Sequence, residues 1–150
     1  MTDQAAVEAL LGRRTRSEVE VVVRDAGGAP IVIRNPPILD DGTPMPTLYW
    51  LVGDDERRRV SELESNGGVK RARVEVDADL VKAAHARYAA ERDAHIPVGH
   101  AGPRPSGGVG GTRVSVKCLH AHYAWHLAGG DDPVGRWVEE QLRIADVGPR

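Results

Sequence analysis

The chain contains no phenylalanine, and its other large aromatics are three tryptophans and three tyrosines. Its core must therefore be built mainly from aliphatic side chains. Cysteine is nearly absent: Cys118 is the single thiol, which excludes an internal disulfide framework and gives no sign of an oxidising compartment. No apolar run approaches the ~20 residues needed to span a bilayer, so no membrane partner is expected. The opening MTDQAAVEALLG carries acids and no basic stretch, unlike a secretory signal, and a cytoplasmic location is the expectation. An excess of one charge is also lacking. A net charge of −2 argues against a dedicated nucleic-acid binder, which is normally basic.

What is present fits one folded domain. A chain of 150 residues, 41% hydrophobic and 28% charged, is long enough to bury a core without staples. Ala6, Val7, Leu10 and Leu11 recur at helical spacing, with Asp3 placed to cap and Gly12 to stop. Val19, Val21 and Val23 alternate as in a strand, Asp25-Ala-Gly-Gly-Ala29 has turn chemistry, and Ile31-Val-Ile33 returns as the second arm of a hairpin. Leu48 to Val52 reads as a third, buried strand, and Val69 to Val76 as a fourth. Helices are expected from Asp54 to Leu63, after Asp77, from Ser115 to Ala128, and after Asp132-Pro133. Pro97 to Thr112 is too rich in proline and glycine for a regular element. The expectation is a single α+β domain over residues 1–150, its core about 12–147, with a small antiparallel or mixed sheet of about four strands and helices packed on one face.

The chemistry concentrates between His95 and Gly135. Five of the six histidines fall there (His95, His100, His120, His122 and His126), together with Cys118. From Ala94 to Gly130 there is no Asp or Glu, while Arg104, Arg113 and Lys117 are basic; the local potential should be positive. On a helix turning about 100° per residue, Cys118, His122 and His126 form one stripe and His120 points roughly opposite. A thiolate and an imidazole one turn apart are ligands that Zn²⁺ favours, as does Fe. The expected metal ligands are therefore Cys118 and His122, completed by His126 or His100, with His95 a further donor. Two other readings stay open. Cys118 and His122 can be ordinary core residues, or Cys118 can be a nucleophile with His122 as its base.

The preceding segment, Arg104-Pro-Ser-Gly-Gly-Val-Gly-Gly-Thr-Arg113, is neither a Walker loop nor a dinucleotide fingerprint. Glycines let backbone N–H groups converge on an anion, and a helix N-terminus beyond them adds its dipole. The candidate anion-binding residues are Arg104, Ser106, Gly107, Gly108, Gly110, Gly111, Thr112, Arg113 and Lys117, with a phosphate-containing small molecule as the expected partner; a merely flexible loop is the alternative. His120, Tyr49 and Trp50 are further candidates. The two aromatics fit core packing, or else a ligand wall.

The strings Pro46-Thr-Leu-Tyr-Trp-Leu51, Gly108-Val-Gly-Gly111, Val116-Lys-Cys-Leu-His-Ala-His-Tyr-Ala124 and Gly130-Asp-Asp-Pro-Val-Gly135 resemble an uncharacterised, mostly actinobacterial family, domain-of-unknown-function family number five hundred and one. The resemblance runs from about Gly12 onward, and Lys-Cys-Leu-His-Ala-His is its most specific element. It implies that the Cys/His helix and the Gly-rich loop define the group, and it lends no catalytic residue. The leading expectation is a zinc-binding protein with an anion held beside the metal and hydrolytic chemistry open to it. A non-catalytic phosphate- or nucleotide-binding regulator and a protein-interaction module are the alternatives, and whether the protein is an enzyme stays open.

Overall fold

The computed structural model describes residues 1–148. It is a single α+β domain in which three antiparallel strands meet six helices. Helix α1 (Asp3–Leu11) is capped by the Thr2 hydroxyl, which accepts from the Ala5 N–H, and closes on left-handed Gly12. Strands β1 (Glu20–Arg24) and β2 (Pro30–Arg34) form the expected hairpin, and β3 (Tyr49–Leu51) pairs with β2, giving the order β1-β2-β3. Then follow α2 (Asp54–Ser65), α3 (Gly68–Glu75), α4 (Ala78–Asp93), α5 (Leu119–Leu127) and α6 (Pro133–Val147), with one 3-10 turn at Val109–Gly111.

Two expectations about the sheet are corrected. The segment Val69 to Val76 is no strand but mostly α3, leaving three strands rather than about four. Its alternating valines mislead: Gly68, Ala72 and Val76 are buried at a spacing of four, whereas Val74 is 81% exposed. Lys70, Arg71, Ala72, Arg73 and Glu75 are helix formers, so propensity and burial agree on the helix. Nor do the helices share one face. Successive strand residues point to opposite sides, so Val32 packs with Leu51, Tyr88 and Leu119 while Ile33 packs with Val7 of α1 and Val52. Helix α1 thus covers the second face, and the core begins before residue 12.

Helix α4 joins these layers. Asp77 caps it by accepting from the Asp79 and Leu80 N–H groups, and Val81, Ala84, His85, Tyr88 and Arg92 recur on its buried face. The buried Tyr88 hydroxyl accepts from the N–H of Leu48 (2.7 Å) and of Tyr49 (3.3 Å), tying α4 to β3. Arg92, 1% exposed, donates through Nη1 to the carbonyls of Pro46 (3.1 Å) and Gly107 (2.8 Å). One guanidinium thereby pins two irregular segments that have no ladder of their own. No helix among the described residues is long and apolar enough to cross a membrane.

Candidate metal centre

Helix α5 starts later than its periodicity suggests. Cys118 is its N-cap, with extended backbone angles (φ −139°, ψ 114°), and helical geometry begins only at Leu119. The rotation of 100° per residue therefore does not carry back to Cys118, and its side chain leaves the stripe that contains His122. The structure brings it to His120 instead. Glu64, from the last turn of α2, completes a group in which one ligand atom from each residue lies within 4.8 Å of the others; all three are partly buried. Among the described residues this is the group spaced to hold a metal ion, and neither His122 nor His126 nor His100 belongs to it.

Two of the three side chains, Glu64 and His120, are held from behind. Glu64 Oε2 accepts the Leu119 N–H at 2.8 Å, so the carboxylate caps the first turn of α5 and leaves Oε1 toward His120 Nδ1, 3.2 Å away. The other ring nitrogen, His120 Nε2, lies 3.1 Å from the Ser61 hydroxyl. A serine hydroxyl can donate or accept, so it can follow either imidazole tautomer. The hydrogen bond to Cys118 raises the His120 pKa above the ordinary histidine value against the opposing effect of burial, with the Glu64 charge adding to the rise.

Cys118 and His120 also line a cavity of about 340 Å³ alongside β3, with Arg13, Tyr49, Trp50 and Arg57 among the other walls. The two aromatics and His120, unconnected in the sequence, thus meet at one place. Burial, and next a hydrogen bond with Glu91, push the Tyr49 pKa up to about 12, so it enters the cavity wall as a neutral phenol. Arg13 stacks over the Trp50 ring, its guanidinium carbon 5.2 Å from the ring centre. Sequence reasoning missed Glu64, Arg13 and Arg57. An acid three residues after a serine on a helix is too common a pattern to single out.

His122, His126 and His100 have structural partners. His122, fully buried, donates from Nδ1 to the equally buried Asp132 at 2.7 Å, while Asp132 caps α6 by accepting the Val134 N–H at 3.0 Å. His126 Nε2 donates to Glu139 at 2.8 Å, and His100 Nε2 donates to the Pro103 carbonyl at 2.9 Å. His95 lies elsewhere, in the wall of a cavity of about 660 Å³ beside α1 and β1. The acid-free stretch from Ala94 to Gly130 is acid-free only along the chain: Glu64, Asp132 and Glu139 return a carboxylate to each α5 histidine.

The Gly-rich loop spends three of its backbone donors on the fold. The Gly108 N–H goes to the Thr112 carbonyl (2.8 Å), that of Val109 to His85 Nδ1 (3.0 Å) and that of Gly111 to the Gly108 carbonyl (3.1 Å). A Cβ on Gly108 would stand 2.5 Å from the Cβ of His85, so this glycine permits the loop to lie directly on α4. Ser106, Gly107, Gly108 and Arg113 border one cavity, whereas Gly110 borders the other, beside Cys118. Arg104 and Lys117 are exposed and line neither.

The fold and this site define a small single-domain α+β protein carrying a Glu/Cys/His group that can hold a metal ion. The family described as "Protein of unknown function (DUF501)" matches residues 21–140, and the chain belongs to it. No curated protein and no solved structure matches the chain.

Proposed function

We propose that the protein binds a transition metal ion, zinc foremost, through Cys118 Sγ, His120 Nδ1 and Glu64 Oε1, and presents its fourth coordination position to the neighbouring cavity. The observation that carries this reading is the convergence of the three ligand atoms within 4.8 Å. Ligand atoms around a tetrahedral zinc stand about 3.3–3.8 Å apart, from metal–ligand bonds of roughly 2.0–2.3 Å. His120 Nδ1 and Glu64 Oε1, at 3.2 Å, are already near that spacing. Supporting hydrogen bonds match the outer shell that metal-binding histidines and carboxylates ordinarily have: Ser61 would accept from His120 Nε2–H once Nδ1 is on the metal, and Leu119 N–H fixes Glu64 Oε2.

Three protein ligands with an open fourth position are the arrangement of hydrolytic zinc sites, where bound water ionises near pH ~7. Arg13 and Arg57 in the cavity wall favour an anionic substrate there. The test is elemental analysis of untagged protein purified without added metal, beside Cys118→Ala, His120→Ala, Glu64→Gln and His122→Ala. About one equivalent of zinc or iron, lost in the first three variants and kept in the fourth, is expected of a site with these ligands. A parent protein that holds no metal and takes none up on titration ends the proposal.

The same residues admit one second reading, favoured by the approach of the Cys118 thiol and a His120 ring nitrogen to within 4.8 Å. Without a metal, Cys118 is a nucleophile, His120 its base and Glu64 the group that orients the ring. Rapid alkylation of Cys118 in metal-free parent protein, slowed by His120→Ala, would favour that reading.

A further inference from the structure

A second cavity, of about 440 Å³, opens between α4 and the Gly-rich loop. It shares no wall residue with the cavity beside Cys118. Its charged residues are Lys82, Arg92 and Arg113 against a single acid, Asp93, and that acid is taken up by Arg92 Nε at 3.0 Å. Lys82 and Arg113, both exposed, make no ion pair and no side-chain hydrogen bond among the described residues.

Arg92 supplies the decisive observation. It is 99% removed from solvent by its 1% exposure, its Nε and Nη1 groups are committed to Asp93, Pro46 and Gly107, and its Nη2 has no acceptor among the described residues. Arg92 is itself a wall residue of the cavity. A guanidinium carries donors on all three nitrogens, and leaving charged donors unmatched is costly. An oxyanion in this cavity would satisfy Nη2 while Lys82 and Arg113 close on it from the rim.

We propose that this cavity binds a small organic phosphate ester. Phosphate oxygens match the three cations, and Ala86, Ala89 and Pro105 give the rest of the cavity an apolar wall for the organic part. The volume lies in the ordinary range for small-molecule sites. Side chains carry the recognition, and the Gly108 N–H, already bonded to the Thr112 carbonyl, takes no part in it. The site needs neither Cys118 nor a metal.

Titration calorimetry with inorganic phosphate and with glycerol phosphate, at constant ionic strength made up with chloride, tests this on the whole chain. Saturable binding is expected, tighter for glycerol phosphate, and Lys82→Ala or Arg113→Ala should each weaken it about tenfold, the loss of one charge-assisted contact. Both positions are exposed, so the variants should stay folded. Arg104→Ala and Lys117→Ala, outside the cavity, and Cys118→Ala, outside the proposal, should leave affinity within about twofold, as substitutions away from the contact do. Absence of saturable binding, equal competition by chloride, or indifference to Lys82→Ala and Arg113→Ala together would overturn it.

Discussion

Two residues apart on α5, His120 and His122 each set Nδ1 against a carboxylate, at 3.2 Å from Glu64 and 2.7 Å from Asp132. Their surroundings differ in nearly every other respect. The His122–Asp132 pair is wholly sealed, and Asp132 doubles as the α6 cap. The His120–Glu64 pair is 27% exposed on both sides, touches a thiol and borders a cavity. Burial turns one histidine–carboxylate pair into a fastener between helices. Access leaves the other able to exchange its hydrogen bond for a metal bond.

The comparison breaks most easily at the sealed end. Asp132→Ala removes a helix cap and strands a buried imidazole, and urea unfolding should show a loss of about 3–5 kcal/mol, the usual cost of breaking a buried pair. A loss below about 1 kcal/mol, the range of exposed pairs, would erase the distinction between the two ends. Asp132→Asn, which keeps a capping oxygen, should recover part of the loss. Gly135→Ala attacks the same junction from α6, because its Cβ would meet the His126 Cβ at 2.3 Å and the His122 carbonyl at 2.9 Å. Overpacking of this kind should cost about 1–3 kcal/mol in the same assay.

A third test uses pH. Burial lowers the His85 pKa from 6.5, its Ser115 hydrogen bond opposes that, and His122 adds to the lowering. Geometry gives the cause a shape: His85 Nδ1 accepts the Val109 N–H, so a second ring proton has no place to go. A depressed histidine pKa means that the unfolded chain takes up the proton first as pH falls. Its contribution to stability is therefore complete above pH 6.5 and declines as pH drops below that value. Denaturant midpoints measured from pH 8 down to the carboxylate range should fall in that window, and His85→Gln should flatten the change. The smallest stability effects belong to the open end. Metal-free Cys118→Ala and Glu64→Gln should lie within about 1 kcal/mol of the parent, since these residues are only partly buried and keep access to solvent, although metal stoichiometry drops from one to none.

The legible parts of the fold are those whose signals are local. The β1–β2 hairpin, the Asp77 cap of α4 and the Asp132-Pro133 start of α6 follow from neighbouring residues alone. Periodicity failed where two periods overlap, at Val69 to Val76, because the alternation of Val74 and Val76 competes with the four-residue spacing of Gly68, Ala72 and Val76. Cys118 was legible as chemistry but not as geometry. One extended residue at the N-cap moved it from the side of His122 to that of His120. The carboxylates that meet the α5 histidines lie on α2, on α6 and at the α6 N-cap, and no pattern within residues 94–130 announces them.

Arg92 bears on motion as well as on architecture. The carbonyls of Pro46 and Gly107 share its Nη1, so the irregular chain before β3 and the glycine-rich chain after α4 hang from the same buried peg. Neither can swing open without drawing a guanidinium out of the interior or abandoning it there without acceptors, and both are expensive. The two loops should therefore breathe as one cooperative unit, with hydrogen exchange at the Met45 and Gly108 amides, each internally bonded, slowing and quickening together.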